Sequence, residues 1–445
     1  MVARTLPPGP KGRVVTGNLL SYTADQLGYL TQCARGYGDI VRLRLLNVPA
    51  VLLNHPNHIE YVLVKNNRNF IKSRGERHAL SHLGGGLLTS EGSFWRRQRR
   101  LVQPAFHRTR IEAYGEEMVR STERTIDLWR DNQRRDVHQD MSRLTLEIVS
   151  RTLFGTLPSA EFEEIGDALA VIMRRFSGRG GIMFQIPERV PTPANRRFLK
   201  ALRLLDRIIY KIIRDRQERG ADTRDLLSVL LAVRDEETGE GMSDKQLRDE
   251  VATIFLAGHE TTANALSWAF YLLGRNRAAE QELLTELREV LGGRAPTVAD
   301  LPRLRYTDMV VKEAMRLYPP VWAFGREALE DCEIGGYHVP AGTQLLMSQW
   351  VTHRDPRYFA TPETFYPGRW TEEMEHSLPK YAYFPFGGGP RLCIGQPFAK
   401  MEAALLLATI AQRFRLELEK EQQIIPQPSV TLRPRYGVKV MLAQR

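Results

Sequence analysis

The chain has 445 residues, 42% of them hydrophobic, and is long enough to bury a large core. Lys and Arg outnumber Asp and Glu by 63 to 52, and the net charge of +11 predicts attraction to acidic proteins, anionic lipid or nucleic acid without choosing among them. The three cysteines, Cys33, Cys332 and Cys393, have no CxxC spacing, which argues against a disulfide framework and a zinc site.

The start of the chain shows no targeting segment. MVARTLPPGPKG lacks the apolar stretch of a signal peptide, and no apolar run elsewhere reaches the roughly 20 residues of a membrane span. Together with the cysteine pattern, this predicts a soluble protein of the reducing cytoplasm.

Helical periodicity dominates the sequence. No repeat and no low-complexity linker divides it, so we read residues 1–445 as a single domain. Short strand patterns cluster near the start, in DIVRLRLL and AVLLN, and towards the end, in CEIGGYHVPAGTQLLMS and GVKVMLA. This mixture predicts a mainly α fold with a small β region. Apolar residues recur at helical spacing over residues 110–154, 161–176, 197–219, 243–275, 277–291, 307–317 and 396–414.

The segment SFWRRQRR, residues 93–100, combines a tryptophan with a basic run. Trp95 and Arg99 are four positions apart and therefore share one face of a predicted helix. The other arginines of the segment lie largely on different faces, and taken alone they indicate a solvated surface or a nucleic-acid contact.

Residues 177–196, SGRGGIMFQIPERVPTPANR, separate two predicted helices with glycine and proline. This stretch is the best candidate in the sequence for a mobile lid loop.

One long helix is predicted over residues 243–275. Ser243 and Gln246 have capping-box spacing at its start, and at about 1.5 Å per residue the helix would be about 50 Å long. Such a helix could cross the whole molecule.

The sequence AGHETT lies in the middle of this helix. Gly258 weakens the helix, and the Thr261 hydroxyl can turn onto the carbonyl of Ala257, so a groove could open there. Beside such a groove, Glu260 and Thr261 could hydrogen-bond a small ligand such as dioxygen and supply it with protons. The alternative is a kinked, buried helix whose threonine merely satisfies the backbone.

VKEAMRLYPP places Glu313 and Arg316 three positions apart on one predicted helix face. Pairs of this spacing are common, usually superficial, and contribute about 0.2–0.5 kcal/mol. A further arginine, Arg369, follows in FYPGRW.

The loop FPFGGGPRLCIG, residues 384–395, surrounds Cys393 with glycines. A cysteine binds metal as the thiolate, which needs nearby positive charge or hydrogen-bond donors. The glycines let backbone N–H groups approach the sulfur, and the predicted helix that follows points its positive end at Cys393. The alternative is a buried structural cysteine in a turn.

With Phe386, Gly389, Arg391, Cys393 and Gly395, this loop fits FxxGxRxCxG and resembles the haem-binding loop of the cytochrome P-450 monooxygenases. AGHETT resembles the oxygen-binding stretch of that family, VKEAMR its ExxR motif and WRRQR its WxxxR motif, all in family order. The resemblance runs from LPPGPKG to the C-terminal strands and implies the cytochrome P-450 fold with one haem b.

The resemblance also implies a role for each matching residue. Cys393 would be the proximal ligand of the haem iron, with Phe386 packed beside the sulfur and Gly395 in the same cradle. Glu260 and Thr261 would deliver protons to bound oxygen. Haem propionates would be bound by Trp95, Arg99, Arg326 and Arg391. The residues Glu313, Arg316 and Arg369 would be structural.

An apolar substrate pocket is expected above this site. It would suit a lipophilic substrate such as a fatty acid, terpenoid, steroid or polyketide. The expected lining residues are Leu83, Leu87, Leu88, Phe255, Ala257, Val321, Trp322, Ala323 and Phe324, although Trp322 and Phe324 could equally be core residues.

No segment resembles a flavin or iron–sulfur module, so electrons would come from a separate ferredoxin or flavodoxin with its NAD(P)H-dependent reductase. We expect a monomer that binds no nucleic acid. Alternatives are a peroxide-driven peroxygenase on the same scaffold, a non-catalytic haem-binding sensor or, from charge alone, a helical nucleic-acid-binding protein.

Overall fold

The computed structural model describes residues 5–155, 159–175, 187–219 and 225–445. Helices dominate the fold and strands are short, which confirms the predicted mainly α class. The helices are α1 (Leu19–Ala24), α2 (Gln26–Tyr37), α3 (Pro56–Glu60), α4 (Arg74–Ala79), α5 (Gly92–Val102), α6 (Arg108–Ala113), α7 (Gly115–Asp127), α8 (Val137–Phe154), α9 (Ser159–Arg174), α10 (Pro193–Arg219), α11 (Leu226–Ala232), α12 (Asp244–Arg275), α13 (Arg277–Leu291), α14 (Arg305–Leu317), α15 (Gln349–Thr352), α16 (Glu372–Ser377) and α17 (Gln396–Arg413).

The strands form small sheets at the margin of the helices. The largest sheet has the order β1-β2-β8-β5-β3, with an antiparallel β1–β2 hairpin and a parallel β2–β8 pair, and a second sheet has the order β4-β12-β9. The strands are β1 (Ile40–Leu45), β2 (Val48–Leu53), β3 (Phe70–Lys72), β4 (Arg134–Asp136), β5 (Phe324–Ala328), β6 (Cys332–Ile334), β7 (Tyr337–Val339), β8 (Gln344–Met347), β9 (Phe414–Leu418), β10 (Pro426–Pro428), β11 (Leu432–Pro434) and β12 (Lys439–Gln444).

The helical periodicity of residues 110–154 does not correspond to one continuous helix, since the range contains parts of α6, α7 and α8 and the strand β4. The chain turns at Asn132, whose φ of 55° is left-handed, and then forms β4, which pairs with β12 from the C-terminus. Asp136 ends this strand and caps α8 by accepting a hydrogen bond from the His138 N–H at 3.1 Å. Pairing with a strand 300 residues away therefore overrides the local helical pattern.

Most of the expected lid loop, residues 177–186, lies outside the described residues. Its last four residues, 193–196, belong to α10.

The long predicted helix is present as α12 and forms the centre of the core. Its N-terminus carries the capping box between Ser243 and Gln246. It is buried along most of its length and packs against α8, α10, α14 and α17. Within the described ranges, no helix combines the length and apolar composition needed to cross a bilayer.

A buried ion-pair network joins α14 to the segment that precedes the cysteine loop. Glu313 and Arg316 are fully buried, and the carboxylate accepts two hydrogen bonds from Arg316, at 2.8 and 2.9 Å. Arg369 Nε donates to the same carboxylate at 2.9 Å, and Trp370 Nε1 donates at 3.0 Å. Arg316 also donates to backbone carbonyls of residues 353–364, so the network fixes the path of that segment.

We expect Glu313→Gln to lower the free energy of unfolding by about 3–5 kcal/mol, because it leaves two buried guanidinium groups without their shared anion. Urea unfolding measures the change. As a control, Asp308→Asn removes an exposed partner of Lys312 on the same helix and should cost at most about 1 kcal/mol. Similar losses in both variants would contradict a special role for the buried network.

Candidate active site

The cysteine loop approaches the rest of the protein so closely that glycine is required. Gly389 has a φ of 65°, and a Cβ atom there would lie 1.9 Å from the Leu63 carbonyl oxygen. The Cys393 N–H donates to the Phe386 carbonyl at 3.1 Å, which closes the loop. Since α17 begins at Gln396, the positive end of its dipole lies next to the sulfur.

We infer from its exposure and its pKa that Cys393 lines an internal cleft. Its side chain is exposed, yet burial is the largest influence on its thiol and raises the pKa, so the exposed surface faces a space enclosed by protein. The N–H groups of Gly395 and Gln396 and the Arg99 guanidinium lower that pKa in part. These donors are suited to stabilise a thiolate.

The middle of α12 also faces accessible space. Ala257 is exposed and Thr261 half-buried, although the residues on either side of this stretch are mostly buried. The Thr261 hydroxyl donates to the Ala257 carbonyl at 2.8 Å, the back-bond expected from the sequence. The helix itself is continuous through this stretch, and Ala257, Gly258 and Thr261 are its accessible positions.

Glu260 is buried on a different side of α12. Its Oε1 accepts a hydrogen bond from the Thr431 hydroxyl at 2.8 Å, and Oε2 has no hydrogen-bond partner among the described residues. Burial raises the pKa of Glu260, while Thr431 and the charge of Arg433 lower it. Glu260 and Thr261 are thus neighbours in sequence that point into different surroundings.

Cationic side chains gather around Arg391. Its guanidinium pairs with Glu91 and lies 4.3 Å from the centroid of the Trp95 ring. Burial is the main cause that lowers the pKa of Arg391 to about 10 and that of Lys72 to about 7, and repulsion from Arg326 contributes to both values. This partly buried excess of positive charge is matched chemically by an anionic ligand with carboxylate groups.

The loop of residues 83–88 is held by its backbone. The N–H groups of Gly85 and Leu87 donate to Asp249 and Glu250 at 2.7 and 3.1 Å. From the other side, Lys72 Nζ donates to the carbonyls of Leu87, at 3.2 Å, and of Leu88. The side chains of Leu87 and Leu88 are half-buried and pack in part against the main hydrophobic core.

Three expected pocket residues lie in the core, which corrects that prediction. Phe255 is fully buried and its ring stacks on Phe154 at 4.3 Å between centroids. Trp322 is 5% exposed, and its Nε1 donates to the Ser429 carbonyl at 2.8 Å. Leu83 is likewise buried. The remaining expected lining residues are exposed or half-buried: Leu87, Leu88, Ala257, Val321, Ala323 and Phe324.

Two further residues at the site had not been expected from the sequence. Lys72 follows two apolar residues in β3, and a lysine at this position could have been recognised from the sequence as a candidate for the site. His353 gave no signal, but its Nε2 accepts a hydrogen bond from the Phe384 N–H at 2.9 Å and its carbonyl accepts one from Arg316. Burial and the nearby arginines keep the pKa of His353 well below its ordinary value, so the neutral ring links the buried network to the cysteine loop.

The donor set around Cys393 fits a haem. It offers one thiolate ligand, close backbone N–H donors and cations suited to carboxylate groups. The residues that could hold the group are Trp95, Arg99, Arg326, Phe386, Arg391, Cys393, Gly395 and Lys72.

Comparisons with known proteins agree with this fit. The family profile described as cytochrome P-450 matches residues 7–441. Cyclooctatin synthase of Streptomyces melanosporofaciens is 41% identical over 96% of this chain and 93% of its own length. Cyclooctat-9-en-7-ol 5-monooxygenase of the same organism is 39% identical over 89% and 84% of the two chains. Pentalenene oxygenase of Streptomyces avermitilis is 34% identical over 88% and 87%.

Solved structures share the whole fold. A cyanobacterial protein solved with bound retinoic acid has a TM-score of 0.87 and 26% identity over 100% of both chains. The cytochrome P450DA heme domain has a TM-score of 0.88 and 27% identity over 99% of this chain and 98% of its own.

We expect Glu250→Gln to flatten the pH dependence of stability. Burial, assisted by Asp249, raises the pKa of Glu250 from 4.5 to about 7, so the folded protein keeps a proton that the unfolded chain releases. The stability from this proton is complete below pH 4.5 and is lost as the pH rises to 7. Relative to the variant, the wild type should lose up to about 1.4 kcal/mol per pH unit across this interval.

Urea unfolding at a series of pH values measures this difference. The exposed Glu289→Gln on α13 provides a control that should keep the wild-type slope. A wild-type slope in Glu250→Gln would contradict the assigned proton.

Proposed function

The chain belongs to the cytochrome P-450 family and is a monooxygenase, and we propose that it inserts one oxygen atom of O2 into a cyclic terpenoid. The observation that carries this proposal is Cys393 on the wall of an internal cleft, with backbone N–H donors beside the sulfur. The family membership supplies the reaction class, and the relatives supply the substrate class.

We assign haem b to the cleft beside Cys393. The Cys393 thiolate would bind the iron, and Gly395 and Gln396 would donate to the sulfur. Arg391 and Arg326, with Lys72, would bind the propionate groups, because their buried charges exceed those of the acids around them. When bound, a thiolate-ligated haem supplies O–O bond cleavage and oxygen transfer.

The protein supplies proton control on the α12 side. The Thr261 hydroxyl gives its hydrogen to the Ala257 carbonyl, so its lone pairs remain able to accept a hydrogen bond from a ligand beside this stretch of α12. Glu260 can carry a proton on Oε2, which has no hydrogen-bond partner in the described part of the chain, because burial raises the pKa of this carboxyl.

The substrate is proposed to be a cyclic terpenoid. Leu87 and Leu88 on one side and Val321 and Phe324 on the other offer an apolar lining for such a molecule. Two relatives are named for cyclooctat-9-en-7-ol and pentalenene, which are cyclic terpenoids. Among the lipophilic classes that the sequence left open, this one therefore has specific support.

A separate acidic ferredoxin, or a flavodoxin, with its NAD(P)H-dependent reductase is proposed as the electron donor. The net charge of +11 favours such a partner. On α5, Arg97 and Arg100 pair with Asp235 at 3.4 and 3.3 Å, whereas exposed Arg96 makes no ion pair with any described residue. Arg96 is thus the cation of this helix best placed to meet a partner.

We further propose that the protein is a monomer and that it is cytoplasmic, and the three unpaired thiols favour that reducing compartment. Light scattering of the purified protein would return the mass of one chain, and a dimer mass would refute the monomer.

Reduction with dithionite followed by carbon monoxide should give the red-shifted Soret band of a thiolate-ligated haem. Cys393→Ala should lose this band because it removes the ligand. Cys33→Ala alters a buried cysteine near the N-terminus and serves as the control that keeps the band. A globin-like carbonyl spectrum in the folded wild type would refute thiolate ligation.

With reduced ferredoxin and O2, the wild type should convert a cyclic terpenoid to a product one oxygen atom heavier, whose label comes from 18O2 in mass spectrometry. Cys393→Ala should form no product. Product with H2O2 alone and none with ferredoxin and O2 would identify a peroxygenase. Selective turnover of fatty acids would refute the terpenoid class.

A further inference from the structure

The outer face of α10 carries a row of exposed cations. They recur every three or four positions and therefore lie along one side of the helix. At about 1.5 Å per residue, the row is about 27 Å long. We call this row the α10 basic stripe, and it consists of Arg196, Lys200, Arg203, Arg207, Lys211 and Arg214.

Little of this charge is neutralised within the protein. Lys211 pairs with Glu161 on α9, whereas the other cations of the stripe form no ion pair with any residue that the structure describes. The acids of α10 do not offset the row, because Asp206 and Asp215 lie to either side of it and only Glu218 extends the same face, at its C-terminal end. The stripe is therefore a strongly positive surface that is open to solvent.

The opposite face of α10 is built into the core. Its buried apolar side chains belong to the main hydrophobic cluster and include Phe198, Leu205, Ile209 and Ile213. On one flank, Asp206 accepts a hydrogen bond from Arg248 of α12 at 2.7 Å, and Arg248 also donates to the Leu83 carbonyl at 3.0 Å. The stripe is thus displayed on a helix whose inner side is fixed to the central helix of the fold.

The composition of the stripe favours a lipid surface over a protein partner. Protein interfaces are centred on buried aromatic or apolar anchors, and every member of the stripe is a lysine or an arginine. A bilayer with anionic headgroups requires no such anchor and no matching shape, because mobile headgroups can meet exposed cations anywhere along a straight row.

We propose that the α10 basic stripe docks the protein on the anionic surface of a membrane leaflet. The association is peripheral, since the cations attract lipid phosphate groups and the helix stays outside the hydrocarbon. A cyclic terpenoid is lipophilic and collects in bilayers, so docking brings the protein to its substrate. That benefit rests on the proposed function, whereas the docking itself does not.

Sedimentation with lipid vesicles tests the docking without turnover. The haem-loaded protein should bind vesicles made of phosphatidylglycerol and phosphatidylcholine in equal parts, and it should not bind vesicles of phosphatidylcholine alone. Binding should be lost between about 10 mM and about 1 M salt, because the screening length falls from about 30 Å to about 3 Å. Absence of binding to the anionic vesicles at low salt would overturn the proposal.

The triple variant Lys200→Gln, Arg203→Gln and Arg207→Gln tests the stripe itself. Each cation near an anionic leaflet strengthens binding about fivefold, so the loss of three should weaken it on the order of 100-fold. All three side chains are exposed, and an unchanged carbonyl spectrum would show that the haem site is intact.

A matched control separates the stripe from the overall positive charge. It removes three exposed cations elsewhere, through Arg288→Gln, Arg303→Gln and Lys420→Gln, and changes the net charge by the same amount. This control should bind the vesicles almost as the wild type does. Equal losses in the two triple variants would indicate attraction by net charge alone and would overturn docking by the stripe.

Two further measurements distinguish the occupant of the stripe. Arg203→Lys combined with Arg207→Lys should keep vesicle binding, because attraction to a charged leaflet depends on charge and not on guanidinium geometry. Reduction by ferredoxin should be unchanged in the Gln triple variant. Slower reduction with unchanged vesicle binding would assign the stripe to an acidic protein and overturn the membrane proposal. Failure to oxidise any terpenoid would refute the proposed substrate and leave the vesicle result standing.

Discussion

The carboxylate of Glu313 is the constraint on which the cysteine loop depends. This buried anion accepts hydrogen bonds from Arg316, Arg369 and Trp370. The two arginines also donate to backbone carbonyls. Because these hydrogen bonds are buried, they hold the backbone more firmly than hydrogen bonds at the surface would. Neutral His353 continues the connection to the Phe384 N–H, where the loop begins. The position of the Cys393 sulfur is therefore fixed in part by charges that do not contact it.

Several charged groups around the cleft are buried without enough opposite charges or hydrogen bonds to offset the loss of water. These groups are cations on one side of the cleft and acids on the other. Next to the cysteine loop, Arg391 and Lys72 form an excess of positive charge that suits a ligand with carboxylates. Along α12 and α17, Glu260 and Glu402 are acids whose pKa values burial raises. The first arrangement favours binding an anion and the second favours the protonated form of an acid, so the burial of charge has opposite effects on the two sides.

Features that depend on local spacing could be predicted from the sequence. The capping box at Ser243, the Thr261 back-bond and the mainly α class all follow from short-range rules. The break in residues 110–154 could not be predicted, because β4 exists only by pairing with β12. The burial of Phe255 and Trp322 in the core depends on which neighbours cover these apolar side chains. The sequence around Glu402 is that of an ordinary helix, and the burial of this acid follows only from the packing of α12 against α17. These failures share one cause, since each requires a partner distant in the chain.

The loop of residues 83–88 has a consequence for how this scaffold can diversify. Asp249, Glu250 and Lys72 hold it through amide and carbonyl groups, which every residue except proline provides alike. Replacement of Leu87 or Leu88 would alter the side chains that the loop presents but would leave those anchors in place. Over evolutionary time, these two codons are therefore constrained by the packing of their side chains on the main core and not by the hydrogen bonds of the loop, whereas Gly389 tolerates no side chain because its Cβ would meet the Leu63 carbonyl oxygen.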